Sequence, residues 1–296
     1  MNQSKAQYDL CVIGHVFFEL FWPREECNPE PGVELFLDDI HVGLGGALNT
    51  SSVADALGCK VVLLHPKGNG LTDFAIEGFI RSRHIDTLTW PAVDNPAITI
   101  VLHRENDRSF ISKEDRKALA HCPELPYARF IHVAGINLAI NLADRLADAR
   151  AAGAKICVSG SWCPEHFAYA TALRNMPWDI FILNDKEAGE ISGSVEKALD
   201  ELPGRAARDV VVTCGADGAL AVIDNQRVSA PGKKVIPLDF TGTGDAFCAG
   251  FLGGRLRGLT PERCLALANE VASRMLTVRG GVVPNVEMLK DLEDWK

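Results

Sequence analysis

The sequence predicts an α/β fold, a doubly wound, mostly parallel sheet with helices on both faces, accompanied by a small β-rich element. Three observations predict it. Short β-branched runs alternate with helical patterns along most of the chain, the order that builds parallel sheets. Glycines fall where such runs pass into helices, at the strand ends where sheets of this type hold ligands. Two stretches, 16–40 and 97–112, break the alternation and carry the extra β content.

In chain order, Leu10–Ile13 is the first core strand, and Val16 to Ile40 follows it, rich in aromatics and prolines and without a helix. Asn49–Leu57 is a small-residue helix closed by Gly58, and Lys60–His65 is the next strand. Ala97–His103 opens a hairpin that turns through Glu105-Asn106-Asp107 and returns to Ser112. After the strand Arg129–Val133, Leu138–Ala152 reads as one amphipathic helix closed by Gly153. Leu138, Leu142, Leu146 and Ala149 recur in it every three or four residues. Lys155–Val158, Asp179–Leu183, Val210–Cys214 and Ala219–Ile223 extend the sheet. Val235–Leu238 reads as a last strand before a helix that carries Phe247, Phe251 and Leu252 on one side and ends at Gly258. The core therefore takes 1–15, 41–96 and 113–296. The stretches 16–40 and 97–112 are left as a small β unit, either a lid or a pair of edge strands.

Composition excludes several classes. The chain of 296 residues can bury a large core, in one elaborate domain or two. A net charge of −9 without a Lys/Arg run argues against nucleic acid or an anionic membrane as partner. Leu10 to Trp22 is interrupted by His15 and Glu19 and is too short to span a bilayer. Met1 to Asp9 lacks the charged-then-apolar order of a secretory signal. Nine cysteines without a C-x-x-C pair fit a reduced, cytoplasmic compartment. The eight histidines show no metal spacing, and most read as surface or satisfied polar groups.

The most informative run is Asp239-Phe240-Thr241-Gly242-Thr243-Gly244-Asp245. Glycines at a turn into a helix let backbone N–H groups converge on one point, and the helix N-terminus adds its positive end. Such a nest suits an anion, including a phosphoryl group in transfer, and Asp245 beside it can take a proton from an attacking hydroxyl. An N-capping aspartate after a glycine turn has the same outline.

This run resembles the D-[TS]-x-G-A-G-D signature of the ribokinase-like (PfkB) carbohydrate kinases. Asp239, Gly242, Gly244 and Asp245 match, while Phe240 and Thr243 depart. The resemblance implies a ribokinase-like fold with a β lid over the substrate, through which such enzymes often form homodimers. It makes Asp245 the catalytic base and the amides of Gly242, Thr243 and Gly244 the anion hole.

Further matches run from about Tyr8 to Pro284. Gly45-Gly46-Ala47-Leu48-Asn49 resembles the family's G-G-x-x-x-N, with one glycine displaced, and implies sugar contacts from Gly45, Gly46 and Asn49. Gly14 to Glu19 resembles G-x-x-x-x-D with Glu19 in place of the sugar-gripping aspartate, and Gly135 and Asn137 complete that pocket. Asn184-Asp185-Lys186-Glu187 resembles N-x-x-E, which implies Mg²⁺ held through water by Asn184 and Glu187, although a capping box has the same shape. Thr213, Gly215 and Gly218 match T-x-G-x-x-G at the nucleotide, and Asn269 falls at the adenine edge. Asp239 and Thr241 could join a K⁺ loop with 278–281.

Two segments depart from the pattern. Gly68-Asn69-Gly70 lacks the aspartate of G-x-D-x-x-G. Ser159-Gly160-Ser161-Trp162-Cys163-Pro164 stands where D-P-N-x-R-P is common, without its arginine, which disfavours keto-acid sugars. There is no G-x-x-x-x-G-K-[ST] loop, no complete dinucleotide fingerprint and no H-R-D loop. The expectation is an ATP- and Mg²⁺-dependent kinase acting on a primary hydroxyl of a small sugar. A nucleoside is the alternative acceptor, and a sugar-binding regulator without phosphotransfer is the rival from another class.

Overall fold

The computed structural model describes residues 7–22, 31–34, 36–37, 40–92, 97–103, 108–115, 117–161 and 178–295. Trp162 to Pro164 and the hairpin turn Glu105-Asn106-Asp107 lie outside them. Nine strands form the large sheet: β1 (Tyr8–Ile13), β4 (Val61–Lys67), β5 (Ile85–Pro91), β8 (Ala128–Ala134), β9 (Lys155–Ser159), β10 (Trp178–Asn184), β11 (Ala207–Thr213), β12 (Ala219–Ile223) and β13 (Gln226–Ala230). Their order is β13-β12-β11-β10-β9-β8-β1-β4-β5. Every pairing from β5 to β11 is parallel, and β12 and β13 close the edge as antiparallel strands.

Strand β1 shows why both faces are covered. Leu10 and Val12 pack into one apolar core with the helices Ala47–Ala56 (α1), Thr243–Leu256 (α7) and Pro261–Met275 (α8). Cys11 and Ile13 pack into the other core with Ile136–Asn141 (α3), Ala143–Ala151 (α4), Asp185–Ser192 (α5) and Val195–Glu201 (α6). A strand buried on both faces must be apolar at every position, as β1 nearly is. It lies between β8 and β4, where the strand order reverses, so its carboxyl end opens at the switch point favoured for ligands.

The second sheet has the order β3-β2-β6-β7, from Val16–Trp22 (β2), His41–Gly46 (β3), Ile98–His103 (β6) and Arg108–Lys113 (β7). Register sets its inner face, because Gly43, Glu19, Thr99 and Ser112 lie in one cross-strand row. Glu19, Phe21, Thr99 and Val101 on that face are buried. The glycines of β3 make room for it. A Cβ at Gly43 would lie 2.9 Å from the Phe21 ring, and one at Gly45 would collide with the Glu19 carboxylate. Gly45 and Gly46 therefore sit in a strand, not in a turn, and α1 (Ala47–Ala56) begins directly after them.

Two readings of the sequence are corrected. Val235–Leu238 is not a strand, and Ile236 and Leu238 are exposed. Pro237 has no N–H for a ladder, and Leu238 N–H donates instead to the Leu276 carbonyl. Leu138–Ala152 is two helices that meet at Leu142 (φ −100°, ψ 11°), with Leu138, Leu142 and Leu146 all buried. Buried His65 is a satisfied polar group, its Nδ1 lying 3.1 Å from the Pro66 carbonyl, whereas both ring nitrogens of His132 lack a hydrogen-bond partner among the described residues, and burial lowers its imidazolium to about 4, so that ring is neutral. Asp73, in the first turn of α2 (Leu71–Arg81), takes up the turn of the degenerate 68–70 segment by accepting from the Gly68 and Gly70 amides. No helix among the described residues is long and apolar enough to cross a membrane.

Candidate active site

Gly242 starts the site. Its φ of +70° is left-handed, and a Cβ there would collide with the Gly281 backbone, so the turn into α7 admits only glycine. Thr243, Gly244 and Asp245 then form the first turn of α7, which aims backbone N–H groups out of the helix end. The Thr243 N–H faces the Phe240 carbonyl at 3.4 Å, and its hydroxyl donates to the same oxygen at 2.9 Å. Thr243 thus closes the turn, while its neighbours Gly242 and Gly244 line the cavity. A Cβ on Gly244 would meet nothing within 4 Å, because that position faces open space.

Asp245 is the third residue of the helix and does not cap it. Its Oδ2 accepts from Asn49 Nδ2 at 2.9 Å. Burial is the larger influence and pushes its carboxyl up to about 6, against the lowering effects of Asn49 and the Arg108 charge. Asn49 belongs to α1 and is buried, with its Oδ1 unpartnered. The Asn49 side chain also packs against Gly281, where a Cβ would come within 2.5 Å of it.

A cavity of about 360 Å³ opens beside Asp245. Gly242, Gly244 and Asp245 form one wall, and Asn184, Glu187 and Thr213 another. Gly14, His15, Phe17, Gly46, Arg108 and Glu114 line the side toward the small sheet. Asn184 and Glu187 make the reciprocal capping box that their spacing also allowed. Asn184 Oδ1 accepts from Glu187 N–H at 2.8 Å, and Glu187 Oε2 accepts from Asn184 N–H at 2.9 Å. The Glu187 carboxylate lies over Gly160, where a Cβ would collide with it. Burial raises that carboxyl to about 7. Capping and lining the cavity are thus combined in the same two residues.

Glu19, Gly45 and Asn49 stand one layer behind this wall. Glu19 is buried against Gly45 with Oε2 unpartnered, and burial together with the Asp245 and Asp239 charges raises its carboxyl to about 8. Gly135 (φ +129°) caps α3 and faces Ser161, and Asn137 lies in the first turn of α3. The cavity is lined there by Ala134 and Ser161 instead. Thr213 reaches the wall, whereas Gly218 (φ +98°) is fixed by the 230–232 backbone, which leaves no space for a Cβ. Gly215 (φ +55°) opens the 3-10 turn before it. Asn269 spends its amide on the carbonyls of Ala230 and Pro231, both at 3.0 Å, which ties a loop to α8.

Asp239 is likewise a clamp. Its Oδ1 accepts from the Thr241 N–H and hydroxyl, and its Oδ2 accepts from Gly280 N–H at 2.8 Å. Asp239 thereby joins the 239–241 turn to the loop at Gly280. Among the described residues, no three His, Cys, Asp or Glu side chains group as a metal site.

His15, Arg108, Glu114 and Ser161 escaped the sequence reading. They reach the cavity only through the packing of the small sheet and of the turn after β9. The one local signal was the alternation of Arg108, Phe110 and Ser112 along β7.

The model of the pfkB family of carbohydrate kinases matches residues 7–288. The chain belongs to that family. It is 29% identical to the 2-dehydro-3-deoxygluconokinase of Escherichia coli over 196 residues, 59% of this chain and 63% of that one. The match thus spans less than two thirds of that relative. It is 28% identical to the cytidine kinase of Thermococcus kodakarensis over 285 residues, 90% of this chain and 96% of that one. In fold it is similar to an Escherichia coli protein assigned as ribokinase II and solved with ATP and Mg²⁺. The TM-score is 0.78 at 19% identity, covering 92% of this chain and 94% of that one.

Proposed function

We propose that this member of the PfkB family transfers the γ-phosphoryl group of ATP to a primary hydroxyl of a small sugar. The observation that carries the reading is Asp245, a half-buried carboxylate at the start of α7, beside a glycine turn and inside the cavity. The acceptor hydroxyl gives its proton to Asp245 while its oxygen forms the new bond to phosphorus. The bond from phosphorus to the ADP oxygen breaks, and ADP leaves with the electron pair. The amides of Gly242 and Gly244 face the charge on the moving group, where preorganised donors have most effect. Asn49 holds the carboxylate in place by donating to its Oδ2.

The nucleotide end fits what the chain offers. Mg²⁺ keeps most of its shell as water and phosphate oxygens, so a capping-box carboxylate and amide in the wall suffice to organise it. Glu187 and Asn184 are those groups, with Thr213 beside them. Mg²⁺, when bound, neutralises phosphate charge. At the acceptor end, Glu19 offers an unpartnered carboxyl oxygen behind Gly45 and Gly46. The small sheet serves as the lid over this end.

A nucleoside acceptor is the second reading. It is favoured by Phe17 in the cavity wall, able to stack on a base, and by the cytidine kinase relative. ADP release measured with ATP, Mg²⁺ and, in turn, ribose, fructose, 2-dehydro-3-deoxygluconate, cytidine and adenosine decides between them. The expected result is ADP formation that depends on one acceptor and yields its phosphate monoester. ADP formation indifferent to every acceptor would overturn both readings.

A further inference from the structure

A second cavity, of about 430 Å³, lies at the amino ends of β4 and β5, whereas the active site opens at the carboxyl ends of the strands. The last turn of α1, Gly58 just beyond it and the 3-10 turns that begin at Val286 and Lys290 enclose it. Asp55 is the one buried charged residue in its lining. It is 9% exposed, and its Oδ2 has no hydrogen-bond partner among the described residues. Burial raises its carboxyl above the ordinary range, against the His84 and Arg83 charges and the His84 N–H. Arg83 itself is engaged elsewhere, since its guanidinium donates to the Val283 carbonyl and lies 4.9 Å over the Phe79 ring. Asp55 also stands at the negative end of α1, whose last turn carries no basic residue. Both circumstances call for a positive charge.

Glu293 adds a second carboxyl. Its side chain lies 3.6 Å from where a Cβ on Gly58 would stand, so it covers the end of α1, and no described residue bonds to it. The lysines of the lining are already matched. Lys290 Nζ donates to both oxygens of Glu287, at 2.9 and 3.2 Å, and Lys60 Nζ lies 5.2 Å over the Tyr8 ring. Asp55 and Glu293 are thus the unmatched charges, beside an apolar wall at Val286, which is 37% exposed.

We propose that this cavity binds a small primary amine, its ammonium set between Asp55 and Glu293 and its methylene chain along Val286. An ammonium carries three N–H donors, enough for both carboxyl groups and one further oxygen. Its charge also offsets the negative pole of α1. A metal ion fits less well. Among the described residues no three His, Cys, Asp or Glu side chains group as a metal site, and the space is far larger than one ion fills. No lining residue is shared with the catalytic cavity, so amine binding stands or falls apart from phosphotransfer.

Calorimetry and melting curves on the whole chain test this. The probes are putrescine, a diamine, and free lysine, an amino acid, with 1,4-butanediol as the uncharged control. Wild type should bind putrescine or lysine at a single saturable site and melt at a higher temperature in its presence, while butanediol does neither. Which amine binds more tightly tells a diamine from an amino acid as the ligand. Asp55→Asn and Glu293→Gln should each weaken binding by at least about tenfold. Glu293 is exposed, so Glu293→Gln carries the test if Asp55→Asn does not fold. No saturable binding of either amine at millimolar concentration would overturn the proposal and leave Asp55 as a clamp on the turn at His84. Equal affinity in wild type and Glu293→Gln would overturn it too, because the amine would then be drawn by the net charge of −9 rather than by this cavity.

Discussion

The side-chain amide of Asn49 donates to Oδ2 of Asp245 at 2.9 Å, joining residues 196 positions apart. One bond thereby fixes the carboxylate at the start of α7 to helix α1, which follows directly from Gly45 and Gly46. The proposed base and the proposed acceptor site are thus built as one unit.

Replacing Asp245 with Asn keeps the shape and removes proton acceptance. kcat should fall by about two to four powers of ten, with nucleotide affinity nearly unchanged. Steady-state kinetics check this, and a variant that keeps more than about a tenth of wild-type kcat contradicts the role of general base.

The pH profile follows from the same group. Burial raises the Asp245 carboxyl to about 6, and only the ionised form accepts a proton. kcat/KM should therefore be level above that pH and decline as pH drops through it. A decline centred near pH 4 would place the carboxylate in water rather than in a buried cleft.

Glu19 should give two effects. Above about pH 8, where Glu19 is ionised, Glu19→Gln leaves one acceptor oxygen and puts an NH₂ in place of the other, so the acceptor KM should there rise about tenfold while the KM for ATP holds. Its stability effect has a definite sign. The folded chain keeps the Glu19 proton up to about 8, whereas the unfolded chain releases it near 4.5. The folded state therefore binds more protons in that window, and stability falls as pH rises through it. Melting curves should show Glu19→Gln gaining on wild type from pH 5 to 8.

Gly244→Val tests the anion hole. A Cβ there meets nothing within 4 Å, so the fold should be retained by circular dichroism. The valine methyls would occupy cavity space beside the amides, and kcat should drop by about two to three powers of ten. Normal turnover would mean that the phosphoryl group lies elsewhere.

Gly160→Ala tests the cation end. The new methyl would collide with the Glu187 carboxylate and push it from the wall. The Mg²⁺ concentration for half-maximal activity should rise several-fold, with acceptor KM unaffected. An unchanged Mg²⁺ dependence would leave Glu187 with its capping role alone.

How much was legible depended on the range of each interaction. The turn from Asp239 to Asp245, the capping spacing of Asn184 and Glu187 and the alternation of strands with helices are local, because turn conformation, caps and periodicity are set by neighbouring residues. Those features stood in the sequence. Even there, two local readings failed. Val235–Leu238 is apolar enough for a strand, but Pro237 and the absence of a pairing edge left it exposed. Leu138–Ala152 has one helical period, yet the chain departs from helical geometry at Leu142 and forms two short helices. Only the tertiary structure decided that Asn49 meets Asp245, that Glu19 is buried on Gly45 and that Arg108 reaches the cavity. Each of these depends on β1 lying between β8 and β4, or on the register of the small sheet. Contacts so distant in sequence are fixed by how whole elements bury their faces, and no window of neighbouring residues contains that information.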